Sequence, residues 1–402
     1  MAGLGPAPAF QRSATPGVCR RHASDVIEYL FALSNNYSRL GRMRWDNLRL
    51  DESDRPDSPA RASQAPALFE RDAVARTFDT PGFRGMTFYE VHAKSIINQV
   101  PPASRMAFRW TINPYRGCSH SCTYCFARNT HSYLDMDTGV DFNSRIVVKV
   151  NAPALARKEL AAPRWQGEHV AMGTNVDCYQ RAEGRYRLMP GIIGALRDAA
   201  NPFSVLTKGT LILRDLDLLA GAAEVTDVGL NVSVGFIDKA LSRSVEPGTP
   251  SPEARLGVCS ALTGRGLRCG VLMGPVLPFL TDSPEQLDAT VRLVAEAGAA
   301  HVTPIVLHLR PGAREWFLRW LGENFPELIK PYLSLYGRGA YAPQGYQQRI
   351  AERVKELALR YGVGRASPAG ARRIGPPRSQ QQEPPAASAA SELADAVQLS
   401  LL

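Results

Sequence analysis

The chain has 402 residues, 45% of them apolar and 21% charged, a balance that excludes a mainly disordered polypeptide. No stretch approaches the ~18 uninterrupted apolar residues of a membrane span, which excludes a transmembrane helix. The 47 basic residues against 38 acidic ones leave a formal charge of +9. Part of that surplus lies in Arg-rich segments such as Arg20–Arg21 and Arg365 to Arg378, so charge alone identifies no partner.

In chain order, residues 1–80 are expected to form a largely disordered or weakly structured extension. Gly3–Gly17 is small, Pro-rich and aperiodic, and residues 51–67 have the composition of a solvated linker. Between them, Ser24–Leu33 is spaced as a short helix capped by Ser24. From 81 to 310, short apolar runs alternate with longer helix-like segments. The runs are Ala107–Ile112, His169–Met172, Phe203–Leu206, Val228–Val234, Cys269–Met273 and His301–His308. The segments that follow them are Pro153–Leu160, Pro190–Ala200, Arg214–Ala223, Pro252–Arg265, Pro284–Glu296 and Ala313–Gly322. Pro190, Pro252 and Pro284 suit a first helical turn, with Ser251 and either Asp282 or Ser283 as N-caps. Residues 311–363 read as a helical C-terminal extension. Residues 364–402 read as a disordered low-complexity tail, within which Ser391–Leu402 has helical spacing of Leu and Val.

Strand–helix repetition predicts an α/β protein with parallel strands and crossover helices. Six units fit a partial (β/α)6 barrel of the TIM type better than a closed eight-fold barrel, with a doubly wound sheet as the alternative. In either case the functional residues belong at the C-terminal ends of the strands.

Seven cysteines are present, and three crowd together in Cys118-Ser-His-Ser-Cys122-Thr-Tyr-Cys125. Cys19, Cys178, Cys259 and Cys269 are scattered, unlike a secreted disulfide framework, and no secretory leader pattern opens the chain. A cytoplasmic protein is the expectation. Three thiolates in one loop suit a soft metal or an iron–sulfur cluster. A structural zinc ion wants four ligands, and His120 is the candidate fourth. In a [4Fe–4S] cluster, three cysteines leave one iron open to a substrate or cofactor.

The Cys-x3-Cys-x2-Cys spacing, with Tyr124 before its last cysteine, resembles the signature of the radical S-adenosylmethionine superfamily. The resemblance implies that Cys118, Cys122 and Cys125 hold a [4Fe–4S] cluster whose open iron binds S-adenosylmethionine. It also implies reductive cleavage to a 5′-deoxyadenosyl radical that abstracts hydrogen from a substrate, with an electron donor such as flavodoxin or ferredoxin. Carried onto this chain, the cofactor-binding residues are Tyr124, Gly173, Thr174, Asn175, Asp177, Lys208, Asn231 and Ser233. Lys208 is placed to pair with the methionyl carboxylate.

Within the superfamily the chain is similar to the branch of spore photoproduct lyase and the DNA repair photolyase-like proteins. The residues that carry this are Asn113-Pro-Tyr-Arg-Gly-Cys118, Tyr124-Cys125-Phe126-Ala127-Arg128, Gly173 to Gln180, Thr207-Lys208 and Glu246-Pro247. Where relatives have Thr-Asp-Pro-Tyr-Gln-Pro, this chain has Val176-Asp177-Cys178-Tyr179-Gln180-Arg181. Cys178 is thus either a displaced hydrogen donor, its candidate catalytic role, or a replaced proline. The substrate is then a nucleic-acid lesion, or alternatively a small metabolite or protein side chain. The reading from a different class is a non-catalytic zinc-binding nucleic-acid module. Further candidates are Glu183, Arg243, Glu246 and His308, with His301 structural, and the Tyr336–Tyr341 loop is expected to cover the open side of the barrel.

Overall fold

The computed structural model describes residues 73–364 apart from 102, 103, 105 and 338. Its strands are β1 (Val74–Arg76), β2 (Thr87–Val91), β3 (Ile97–Gln99), β4 (Trp110–Ile112), β5 (Tyr115–Arg116), β6 (Arg145–Lys149), β7 (Val170–Met172), β8 (Phe203–Thr207), β9 (Val228–Ser233), β10 (Cys269–Val276) and β11 (Val302–Val306).

Six of them, β4, β7, β8, β9, β10 and β11, pair in chain order and all in parallel, with β3 antiparallel at the β4 edge. This is the sheet of a partial (β/α)6 barrel. All eight residues of β10 are buried, as expected of a parallel strand covered on both faces. The crossover helices bury one stripe each. In Pro284–Glu296 the stripe is Leu287, Val291 and Val294, and Ser283 caps the helix by accepting from the Gln286 amide. Ser251 caps Pro252–Gly264 in the same way through the Ala254 amide. Asp282 is not the cap; its carboxylate accepts instead from the Tyr346 hydroxyl.

Several boundaries differ from the sequence expectation by one to three residues, and two of them have clear local reasons. The strand expected over Ala107–Ile112 pairs only from Trp110, where β3 and β7 run alongside it. The helix expected from Arg214 begins at Leu216, after a 3₁₀ turn over Thr210–Asp215. There Arg214 is drawn aside to Glu183 and Asp215. After β11 come the helices Ala313–Asn324, Ile329–Leu335 and Gln344–Arg360, the last packed on β11 and on Pro284–Glu296. The helices expected at Ser24–Leu33 and Ser391–Leu402 lie outside the described residues, as does all of the chain on either side of 73–364.

A second, smaller sheet was not foreseen. Its order is β1-β2-β6-β5, and β1 lies inside the segment expected to be weakly structured. Its inner residues Phe88, Tyr115, Ile146 and Val148 are fully buried in the main core. Its importance is positional: β5 ends two residues before Cys118, and the Cys118 amide donates to Phe142 O at 2.9 Å. The small sheet therefore anchors the start of the cysteine loop.

Candidate active site at the strand ends

The cysteine loop leaves β5 through Gly117, whose φ of +77° is open to glycine and strained for other residues. A Cβ there would also stand 2.9 Å from Arg145 O. Polar side chains then fix the loop from several directions. Gln180 accepts from the Ser119 amide and donates to Gly117 O, both at 2.9 Å. Arg128 is fully buried and donates to Cys122 O through Nε at 3.1 Å and Nη2 at 2.9 Å. Its other Nη reaches Thr138 O and Gly139 O, and its plane lies over the rings of Phe142 and Trp316. The turn at Val245–Gly248 closes the far side: Thr123 donates to Val245 O, and Gly248 donates to His120 O at 3.0 Å.

Cys118, Cys122 and Cys125 line one pocket with the C-terminal ends of the barrel strands. Burial pushes all three thiols up, that of Cys122 to about 12. A free thiol here keeps its proton, and a bound metal would have to expel it. Among the described residues, no three His, Cys, Asp or Glu side chains are gathered as one ion would require. The intended fourth zinc ligand, His120, is buried with Nδ1 3.4 Å from Asp177 Oδ2. Three thiols lining one pocket are donors of the kind that hold an iron–sulfur cluster.

Of the residues expected to bind cofactor, Tyr124, Gly173, Thr174, Asn175, Asp177, Lys208 and Ser233 all line this pocket. Gly173 has φ +78°, and a Cβ would fall 1.8 Å from Leu206 O, so the end of β7 lies hard against β8. Asp177 braces that junction. It accepts from the Lys208 amide at 2.6 Å, Thr207 Oγ1 at 2.7 Å and the Tyr179 amide at 2.8 Å. Lys208 Nζ donates to Ser233 Oγ at 2.7 Å, stands 4.0 Å from Glu246 Oε1 and lies over the Tyr124 ring.

Asn231 does not line the pocket. It lies two residues earlier on β9 than Ser233 and pairs its Oδ1 with His301 Nε2 at 3.0 Å, in space kept by Gly270. Cys178 is also outside the lining and is 0% exposed, packed in the core beside the brace. Arg243 is exposed on its helix. Glu183 accepts from the Tyr115 hydroxyl at 2.5 Å, pairs with Arg214 at 2.6 Å, and accepts from the amides of Leu188 and Met189. It holds β5 to a helix start and is a strut of the fold.

Glu246 also stands behind the pocket wall, bonded to Tyr124 and to Arg255. Arg255 was missed in the sequence, although a lone cation beside Leu256, Val258, Cys259 and Leu262 on a buried helix face was a readable signal. At the far rim, His308 and Arg310 join the lining. The Tyr336–Tyr341 loop runs beside them at the β11 edge, with Tyr341 bridged to His308 and Leu309 donating to Ala340 O.

A sequence model of the Radical SAM superfamily matches residues 112–294. Uncharacterized proteins of Mycobacterium tuberculosis and Mycobacterium bovis are 50% identical over 311 residues, which is 77% of this chain and 90% of theirs. An uncharacterized protein of Methanocaldococcus jannaschii is 28% identical over 193 residues, 48% of this chain and 69% of that one. Among solved structures, spore photoproduct lyase complexed with dinucleoside spore photoproduct superposes with a TM-score of 0.51 at 14% identity. That alignment covers 68% of this chain and 79% of the lyase, and at this identity the likeness is one of fold.

Proposed function

This chain belongs to the radical SAM superfamily, and from that premise we propose that it uses a [4Fe–4S] cluster and S-adenosylmethionine to abstract hydrogen from a substrate at the barrel mouth. The observation that carries the reading is the meeting of Cys118, Cys122 and Cys125 with Gly173, Lys208 and Ser233 on one pocket. When bound, the cluster and S-adenosylmethionine supply a one-electron reductive cleavage that gives a 5′-deoxyadenosyl radical.

The chain's own residues have distinct tasks in this reading. The three thiolates hold three corners of the cluster. Gln180 and Arg128 fix the backbone of the loop that carries them. Gly173, Thr174 and Asn175 offer the methionyl amino group a close approach at the end of β7, and Lys208 offers its ammonium to the carboxylate. Asp177 has its oxygens committed to the β7–β8 junction, so its part is positioning. Leu206, Leu272, Ile305 and Leu307 wall the pocket with apolar surface, which keeps water from the reacting centre.

The position of Cys178, buried and off the pocket, favours a substrate that needs no thiol hydrogen donor at that place. A small metabolite or protein side chain fits this better than a lyase acting on a nucleic-acid lesion. A cytoplasmic setting, with flavodoxin or ferredoxin as electron donor, belongs to the same proposal. Among the described residues no helix is long and apolar enough to cross a membrane.

The test is anaerobic reconstitution followed by reduction, addition of S-adenosylmethionine and chromatography of 5′-deoxyadenosine, with Cys122→Ala as control. Wild-type protein is expected to carry about four iron and four sulfide per chain and to form the product, while the variant does neither. Uptake of zinc with refusal of iron would overturn the proposal.

A further inference from the structure

The pocket rim farthest along the sheet holds two polar groups to which the proposed function assigns no task. Beyond β11 the chain passes through Leu307, His308, Leu309 and Arg310, and all but Leu309 line the pocket. The Nε2 of His308 is buried without a hydrogen-bond partner among the described residues. Other buried side-chain atoms lack a partner too, His131 Nδ1 among them, but His308 is the one of these residues that lines the pocket, where a partner can come from outside the chain. The ring cannot readily swing away, because it packs edge-on against Tyr341 at 4.5 Å and residue 308 is bridged to residue 341.

Arg310 is held in a similar way. Its guanidinium lies 5.5 Å from the Phe126 ring and 5.9 Å from the Tyr341 ring, and one Nη donates to the Tyr341 hydroxyl at 2.8 Å. Its partner there is a hydroxyl, and among the described residues no carboxylate pairs with Arg310, so most of its five donors remain for a ligand. Lys208, just after β8, donates to Ser233 at the end of β9, two to three strands away. The two basic positions are therefore separate: the one at Lys208 has Glu246 beside it, whereas the one at β11 has no carboxylate partner among the described residues and includes the unpaired Nε2 of His308.

We propose that Arg310 and His308 are specificity-determining residues for an oxyanion-bearing substrate, a phosphate ester or a carboxylate. Its charged group takes the spare N–H donors of Arg310 and the Nε2 of His308, and its apolar body lies along Ile305 and Leu272 toward the cysteines. Only the direction of the reacting carbon rests on the radical SAM reading; the capture of the anion does not. Planar, forked donation between two rings also predicts that lysine is a poor replacement for Arg310.

The test is calorimetric titration of the full chain, cluster-loaded and with S-adenosylmethionine present, using inorganic phosphate, thymidylyl-thymidine and succinate as probes. At least one probe is expected to bind the wild type, with affinity down about tenfold in Arg310→Gln and only partly recovered in Arg310→Lys. The three probes separate phosphate, phosphodiester and carboxylate as the source of the oxyanion. S-adenosylmethionine affinity is expected to stay within about twofold in every variant. The proposal is overturned if no probe prefers the wild type over Arg310→Gln. It is equally overturned if Arg310→Gln weakens S-adenosylmethionine to the same degree, which would assign the arginine to the cofactor. A wild type that takes up neither iron nor S-adenosylmethionine would instead sink the radical SAM reading, and the same probes on that protein still report on the anion site.

Discussion

Arg255 and Glu246 form an ion pair at 2.5 Å in which each side chain is only 1% exposed. Burial by itself disfavours the carboxylate charge, but Arg255 and Lys208 outweigh it and hold Glu246 below its ordinary value. Arg255 also donates to Ser233 O, Pro250 O and Ser242 Oγ, and Glu246 accepts from the Tyr124 hydroxyl. One buried pair thus joins the helix Pro252–Gly264, the end of β9 and the tyrosine that precedes Cys125.

Removing Arg255 leaves the Glu246 charge buried with only the more distant Lys208 to answer it, and breaking a buried pair costs about 3–5 kcal/mol at most. Arg255→Leu is therefore expected to lower the stability of the cluster-free chain by that amount in urea denaturation. Arg255→Leu combined with Glu246→Leu should recover part of it, because the stranded carboxylate is gone. A double variant no more stable than the single one would show that the charge is not what the arginine answers.

The Gly248 backbone lies against the cysteine loop so closely that a Cβ would stand 2.0 Å from Ser119 O and 2.9 Å from His120 Cα. Both contacts are backbone and neither can swing aside. Gly248→Ala is expected to displace the loop and to lower iron per chain after reconstitution by at least about half, with a loss of about 1–3 kcal/mol from overpacking. Gly257→Ala is the control, since a Cβ there meets nothing within 4 Å. Equal iron in both variants would refute the buttressing role of the turn.

The barrel was legible because its strands are short apolar runs spaced by helices with marked starts, such as Ser251-Pro252 and Ser283-Pro284. That the three cysteines share one loop was legible from their spacing, and that Lys208 and Ser233 reach the same pocket was legible from their place at strand ends. What escaped depends on contacts between distant segments. Gly248 meets Ser119 across more than a hundred residues, and nothing in Pro247-Gly248-Thr249 announces which segment it will touch. Asn231 was misplaced for a related reason: it shares a strand face with Ser233, but depth along the barrel decides which of them reaches the pocket. The small sheet went unread because its strands are far apart in sequence, with β2 pairing in parallel to β6.

Cys178 gives a prediction of little effect. Its side chain is 0% exposed, and burial raises its thiol well above the ordinary range, so it is neither accessible nor ionised. Cys178→Ala is expected to cost about 1 kcal/mol in stability. Its yield of 5′-deoxyadenosine per cluster should remain within about twofold of the wild type, a difference too small to register as a lost catalytic group. A tenfold or greater fall in yield at normal iron content would return Cys178 to the chemistry.

His308 ties stability to pH. Burial, reinforced by Arg310, lowers its pKa from 6.5 to about 4, so the folded protein holds the ring neutral where the unfolded chain would protonate it. Between those values the unfolded state binds more protons, and stability therefore rises with pH. The contribution is complete above pH 6.5, is lost as the pH falls from 6.5 to 4, and changes no further below that. Its size is at most about 3 kcal/mol, less whatever solvent at the rim screens. His308→Phe keeps the ring against Tyr341 and removes the titration. In urea denaturation at pH 7 and pH 5 the variant is expected to lose less stability on acidification than the wild type. His131, His169 and His301, which burial also lowers, remain in both proteins and cancel in the difference. Equal losses in the two proteins would mean that His308 is solvated in solution, and with that the orphan nitrogen at the rim would no longer call for a ligand.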